Sequence, residues 1–182
     1  LNNIYFIGLM GAGKTTIGRL LAKQMGREFY DSDVEIERKT GVRIPLIFEL
    51  EGEDGFRKRE TAAIEELSQL DNVVVATGGG AVLNPENRIL LKSSGKIIYL
   101  RAKVHDLYQR TRNDKSRPLL QGANPKQKLE QLYVVRDPIY TELADYIVDT
   151  GAQSAVEITS YIEQLLLHLC TDPTQAFTQT DN

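Results

Sequence analysis

The chain has 182 residues and a mass of 20.4 kDa, one domain's worth of protein, with 41% hydrophobic and 26% charged residues. Lys plus Arg number 22 and Asp plus Glu 25, a net charge of −3 that speaks against general electrostatic binding to nucleic acid. A lone cysteine, Cys170, excludes an internal disulfide, and His105 and His168 are too far apart in sequence for a Cys/His zinc cluster. No apolar run approaches the roughly 20 residues of a membrane span, and the lone cysteine fits a reducing compartment, with cytoplasmic as the expectation. The chain begins at Leu1 rather than Met, which leaves a trimmed targeting segment, and so an organellar precursor, open.

Short apolar runs alternate with helical patterns. Ile4 to Ile7 reads as a buried strand and Gly8 to Gly13 as a glycine-rich turn. Ile17, Leu20, Leu21 and Met25 then fall at helical spacing, and Gly26 stops the helix. Glu28 to Asp31 is a second strand. Helical stretches follow, with Pro45 fit for a first turn and an apolar stripe of Phe56, Ala63, Leu67 and Leu70. Val73 to Ala76 is a third strand, broken by Thr77-Gly78-Gly79-Gly80. Asn84-Pro85 caps a helix through about Leu91, and Lys96 to Leu100 is a fourth strand. A helix over Val104 to Arg110, a polar loop at 112–124, a helix over Lys126 to Tyr140, a strand at Tyr146 to Val148 and a helix over Val156 to Leu167 complete the pattern. Residues 171–182 are polar and expected to be disordered. Such alternation predicts an α/β fold, a parallel sheet wrapped by helices, with ligands at the carboxyl ends of its strands.

Gly8-Leu9-Met10-Gly11-Ala12-Gly13-Lys14-Thr15 matches the phosphate-loop pattern G-x-x-x-x-G-K-[ST]. Chance would produce it in roughly one of 200 chains of this length. It sits where its chemistry needs it, between a strand and a helix whose positive end faces the phosphates. Lys14 is expected at the β- and γ-phosphates of the nucleotide and Thr15 at Mg²⁺. The third strand ends in glycines, so the second metal carboxylate must come from elsewhere. Asp31 closes the second strand and Asp33 follows two residues on, so one can serve the metal while the other faces a substrate hydroxyl. Helix capping is the alternative for either.

Arg57 leads Ile64 by seven positions and so lies near a buried helical stripe. A fixed anionic partner such as a carboxylate would explain it; pairing with Glu53 or Glu60 is the plainer account. Residues 101–117 carry Arg101, Lys103, Arg110, Arg112, Lys115 and Arg117 against Asp106 and Asp114, a basic loop able to close over a nucleotide. Arg136, expected near a helix end, could equally pair structurally. Three glycines after a strand leave room for a ligand at the backbone.

Taken in order, the phosphate loop with Ile17-Gly18-Arg19, then Asp31-Ser32-Asp33, Phe56-Arg57, Gly78-Gly79-Gly80, Arg117-Pro118-Leu119-Leu120, Arg136-Asp137-Pro138-Ile139-Tyr140, Ala144-Asp145 and Val148-Asp149-Thr150 resemble shikimate kinase over about residues 3 to 165. The resemblance implies a three-layer, nucleoside-monophosphate-kinase-like P-loop fold whose five parallel strands run in the order 2-3-1-4-5. It implies one kinase domain over 1–170, with a lid at about 112–124 and a substrate-binding segment at about 32–60. It implies ATP- and Mg²⁺-dependent phosphorylation of the 3-hydroxyl of shikimate, on the way to chorismate and the aromatic amino acids, by a monomer.

By position, Asp33 would orient the attacking hydroxyl, with Lys14 and Arg117 as its catalytic companions. Arg57 and Arg136 would hold the shikimate carboxylate, and Gly79 would offer its backbone. Thr15 and Asp31 would flank Mg²⁺. Gly11, Ala12, Gly13, Lys14, Thr15 and Thr16 would cradle the ATP phosphates, Arg110 would stack on the adenine, Gln153 falls in the adenine loop, and Arg117 would reach the phosphates from the lid. The competing readings are a same-fold kinase for another acceptor, such as gluconate or a nucleotide, and a non-catalytic nucleotide-binding module. A guanine-reading Asn-Lys-x-Asp element is absent, which argues against a GTP switch.

Overall fold

The computed structural model describes residues 3–114, 118–122 and 124–168. Its core is a sheet of five parallel strands, β1 (Asn3–Ile7), β2 (Glu28–Asp31), β3 (Val73–Ala76), β4 (Gly95–Arg101) and β5 (Tyr146–Asp149), in the order β2-β3-β1-β4-β5. The predicted fold class and strand order are borne out. β1 and β3 are buried along their whole length, as strands covered by helices on both faces must be. Registers of Asp31 with Ala76, Phe6 with Ala76 and Phe6 with Ile98 align the carboxyl ends of the strands along one edge.

Among the described residues six helices lie between strands, α1 (Lys14–Met25), α2 (Ser32–Thr40), α3 (Ile44–Ser68), α4 (Pro85–Ser94), α5 (Val104–Thr111) and α6 (Pro125–Leu143), and α7 (Ala155–His168) follows β5. Their ends follow the sequence signals. Gly26 closes α1 in the left-handed conformation, and Asn84 caps α4 by accepting from the Glu86 N–H at 3.0 Å, with Pro85 in the first turn. The main core includes Tyr5, Phe6, Ile7, Leu21, Ile97, Ile98 and Leu100, none more than 1% exposed. A second, smaller cluster of Ile36, Ile47, Phe56 and Ala63 holds α2 against α3.

Four details depart from the sequence pattern. Leu70 lies beyond the end of α3 and is 38% exposed, whereas Ile64 takes its place in the buried stripe. Gly52, at φ 70° and ψ −176°, breaks α3 into two helical segments, a backbone state that disfavours any residue with a Cβ. α6 runs through Pro138 to Leu143 rather than ending near Tyr140. The carbonyl that Pro138 leaves unpaired is that of Val134, 72% exposed, which water can satisfy. The polar loop at 112–124 contains a short 3₁₀ turn, Pro118–Leu120.

Gly18 lets α1 lie against the sheet. A Cβ there would sit 2.7 Å from Phe29 Cε2 and 3.4 Å from Phe6 Cδ2. Gly18→Ala is therefore expected to destabilise the protein by about 1–3 kcal/mol through overpacking. Urea unfolding should show a lower midpoint at unchanged slope.

Candidate active site

The chain leaves β1 through the glycine-rich loop and enters α1 at Gly13, whose φ of 99° suits glycine and whose lack of a side chain leaves the first helical N–H groups without a side-chain cap. This is an anion site made of backbone. Lys14, 9% exposed, folds back over the loop, its Nζ donating to the Gly8 carbonyl at 2.8 Å and the Leu9 carbonyl at 2.9 Å. Thr15 Oγ1 donates to Asp31 Oδ2 at 2.7 Å. Asp31 Oδ1 accepts from the backbone N–H groups of Asp33 and Val34 at 3.0 and 3.4 Å. Asp31 thus caps α2 and touches Thr15 at once, so its structural and functional alternatives coexist in one carboxylate.

The turn that follows β3 lies beside this loop because β3 pairs with β1. Thr77 is tied to β1 through its N–H and its hydroxyl, both donating to the Phe6 carbonyl at 3.0 Å. None of Gly78, Gly79 and Gly80 has a positive φ, so conformation does not demand glycine there. Space does at two of them: a Cβ on Gly78 would lie 2.7 Å from both Asp33 Oδ1 and Glu60 Oε2, and one on Gly80 would run into the Arg57 guanidinium, whereas one on Gly79 would make only an ordinary contact, 3.5 Å from Arg136 Nη1. The room expected for a ligand is thus shared with the protein's own charged side chains, delivered by α2, α3 and α6.

Arg57 donates to Glu60 Oε1 at 2.8 Å and to Glu53 Oε1 at 3.0 Å. Both pairings that the sequence offered are made, and the guanidinium also lies 5.3 Å from the Phe56 ring centre. Arg136 sits well inside α6, not at its end, and is 3% exposed. Its Nη1 has no acceptor among the described residues. A buried guanidinium with an unused donor at a cleft wall suits an anionic ligand group.

Glu60 is the residue that sequence reasoning passed over, naming it only as a partner for Arg57. It is 1% exposed, and its Oε2 has no hydrogen-bond partner among the described residues. Burial pushes its carboxyl up to about 7; Arg57 pulls it down and the Asp33 charge pushes it further up. A signal was present: Glu60 stands three, four and seven positions before Ala63, Ile64 and Leu67, on the buried side of α3.

On the nucleotide side, Arg110 Nη1 donates to the Gly11 carbonyl at 3.0 Å, which lays the side chain along the phosphate loop. Arg101, counted among the basic residues of 101–117, instead pairs with Asp149 through two bonds of 2.7 and 3.0 Å. A cleft of about 650 Å³ is bordered by Gly11 to Thr16, Asp31 and Asp33 on one side and by Arg57, Gly79 and Arg136 on another, with Arg110 and Gln153 at the end nearest α5 and α7. Arg117 lies outside the described residues; Pro118 and Leu119, which follow it, also border the cleft. Among the described residues no group of three or more His, Cys, Asp or Glu side chains is placed to hold a metal, and no helix is long and apolar enough to cross a membrane.

The family profile described as shikimate kinase matches residues 10–167. A shikimate kinase from Thiobacillus denitrificans is 61% identical over 87% of this chain and 86% of its own length. One from Burkholderia lata is 57% identical over 92% and 89%. Among solved structures, shikimate kinase from Acinetobacter baumannii in complex with shikimate superimposes with a TM-score of 0.92 at 52% identity, covering 94% of this chain and 96% of that one. A gluconokinase from Sinorhizobium meliloti, with a TM-score of 0.53 at 17% identity, shares the fold alone.

The state of Glu60 makes stability depend on pH. Its folded-state pKa of about 7 lies above the ordinary 4.5, so the folded protein holds this proton more tightly than the unfolded chain. The stabilisation is complete below pH 4.5 and is lost as pH rises through about 7. Its size is on the order of 3 kcal/mol. Urea midpoints measured across that interval should fall more steeply for the wild type than for Glu60→Gln. Parallel pH profiles would contradict the buried, protonating carboxyl.

Proposed function

The chain belongs to the shikimate kinase family, and we propose that it transfers the γ-phosphoryl group of ATP to the 3-hydroxyl of shikimate, yielding shikimate 3-phosphate and ADP for the route to chorismate. The observation that carries this reading is the convergence of Asp33, Arg57 and Arg136 on the Gly78–Gly80 turn, alongside the phosphate loop. An acceptor with one carboxylate and several ring hydroxyls calls for that set: guanidinium groups for the acid, a carboxylate for the reacting hydroxyl and open backbone for the rest.

In the proposed reaction the 3-hydroxyl oxygen attacks the γ-phosphorus, the bond from that phosphorus to the bridging oxygen breaks, and ADP leaves. Asp33 orients the hydroxyl and takes its proton. Arg57 and Arg136 fix the acceptor by its carboxylate, which turns an encounter of two molecules into a positioned transfer. Lys14 exchanges the carbonyls of Gly8 and Leu9 for β- and γ-phosphate oxygens, while the N–H groups of Gly11 to Thr16 surround the phosphates. Arg117 closes from a lid at about 112–124 and neutralises charge on the transferring group, and Arg110 and Gln153 hold the adenine. Residues 32–60 form the acceptor side of one kinase domain over 1–170.

The Thr15 hydroxyl and the Asp31 carboxylate fit Mg²⁺. Both are hard oxygen donors, they already touch, and Mg²⁺ typically takes one or two carboxylates besides phosphates and water. Bound there, Mg²⁺ would supply charge neutralisation for the phosphoryl group being transferred. We further infer a cytoplasmic monomer that acts on small molecules, with neither nucleic acid nor membrane as partner; the net charge of −3 supports the first exclusion.

ADP release with ATP, Mg²⁺ and shikimate, measured beside gluconate, nucleoside monophosphates and a no-acceptor control, tests the assignment. Turnover is expected with shikimate alone; turnover only with another acceptor would overturn it. Asp33→Asn is expected to lower kcat by about 100-fold or more while nucleotide affinity stays within about twofold. Full activity of that variant would remove Asp33 from its role.

A further inference from the structure

The Gly78–Gly80 turn has no side chains of its own to hold its peptide planes, yet four of its six backbone polar groups are committed. The Gly78 N–H donates to Ser32 Oγ at 2.9 Å. The Gly78 carbonyl accepts from the Ala81 N–H at 3.1 Å and the Gly80 carbonyl from the Leu83 N–H at 3.0 Å. The Gly79 carbonyl accepts from the hydroxyl of Tyr140. Only the N–H groups of Gly79 and Gly80 lack an acceptor among the described residues, and both glycines border the cleft.

The Gly79 carbonyl and the Gly80 N–H belong to one peptide unit. Every described peptide bond is trans, and in a planar trans unit these two groups point in opposite directions. Tyr140 is fully buried, so its hydroxyl grips the carbonyl from the core side. The Gly80 N–H is thereby turned away from the core. Without that grip, a peptide flanked by glycines on both sides would be free to rotate.

Tyr140 is itself well held. Its ring lies 4.9 Å from that of Tyr99, and the Tyr99 hydroxyl donates to Asp137 Oδ1 at 2.7 Å, one residue from Arg136. Arg136 and Tyr140 stand one turn apart on the buried face of α6, so a single helix delivers the guanidinium and the hydroxyl. Burial also raises the pKa of the Tyr140 phenol, which keeps it a donor at any working pH.

We propose that Tyr140 is a positioning residue for the acceptor: its hydroxyl, by holding the Gly79 carbonyl, fixes the 79–80 peptide so that the Gly80 N–H is presented to shikimate. This rests on the reading of the chain as a shikimate-phosphorylating enzyme. The test compares steady-state kinetics of the wild type, Tyr140→Phe, and Tyr5→Phe as a control. Tyr5 is a core tyrosine whose hydroxyl contacts Ser94 Oγ at 2.7 Å, away from the cleft. Tyr140→Phe is expected to raise KM for shikimate about tenfold, the scale of one lost hydrogen bond to substrate, and to leave KM for ATP within about twofold. Tyr5→Phe should change neither.

An unchanged shikimate KM in Tyr140→Phe would overturn the proposal, as would an equal rise in both KM values. Repeating Tyr140→Phe in an Arg136→Lys background separates the two routes of action. A similar factor there supports the peptide route, and loss of the effect would mean that Tyr140 acts through Arg136, against the proposal. Should Tyr140→Phe not fold, the wild-type Gly80 amide resonance decides. One sharp signal that shifts with shikimate supports a fixed plane, and a broadened or unresponsive signal contradicts it. A wild type that does not turn over shikimate removes the proposed function and this role with it, whereas turnover with an unaltered variant removes the role alone.

Discussion

The arrangement of the cleft depends on β1 and β3 being hydrogen-bonded neighbours. Strands in a sheet lie about 4.8 Å apart, so the loops that leave their carboxyl ends must share that spacing. The phosphate loop follows β1 and the glycine turn follows β3, and a Cβ on Gly79 would be 3.4 Å from the Gly8 carbonyl oxygen and 3.6 Å from the Met10 nitrogen. Backbone lies against backbone. The glycine turn has no side chains of its own, so the charged groups that face the acceptor, Asp33, Arg57, Glu60 and Arg136, all arrive from helices. The same spacing brings an acceptor bound at the glycine turn close to a phosphate held in the loop, which is the geometric requirement of direct transfer.

A cluster of charges at low exposure is the consequence. Glu60 and Arg136 are 1% and 3% exposed, and Arg57 is largely covered. Burying such groups costs free energy unless each finds a partner. Two devices limit the cost without a ligand: Arg57 divides its donors between Glu53 and Glu60, and Glu60 shifts toward its neutral form. Arg136 keeps a donor unused. The protein therefore holds part of its electrostatic complementarity in reserve. A carboxylate that enters beside Arg57 and Arg136 completes a network already built, with little rearrangement of the buried groups around it.

What was legible in the sequence divides along a physical line. The phosphate side could be read because its chemistry is local. Eight consecutive residues supply the loop, Asp31 and Asp33 follow at the next strand end, and the signals at Gly26, Asn84 and Pro85 mark helix ends by rules that act within a turn of chain. β2 and β3 fall on the expected residues because each is a short run bounded by a turn or a cap. The acceptor side is assembled from α2, α3 and α6 around a turn after β3, and local rules do not reach across those separations. Glu60 resembles an ordinary helical salt-bridge partner until Gly78 is found against it, and Tyr140 an ordinary core aromatic until its hydroxyl is found on Gly79. Even the glycines change meaning. In the sequence they mark space for a ligand; in the fold Gly78 and Gly80 are small because Asp33, Glu60 and Arg57 crowd the same few ångströms. Substituting Gly78 or Gly80 would thus displace the side chains that define the acceptor before it blocked the acceptor itself, and specificity at this site is inseparable from the packing that produces it.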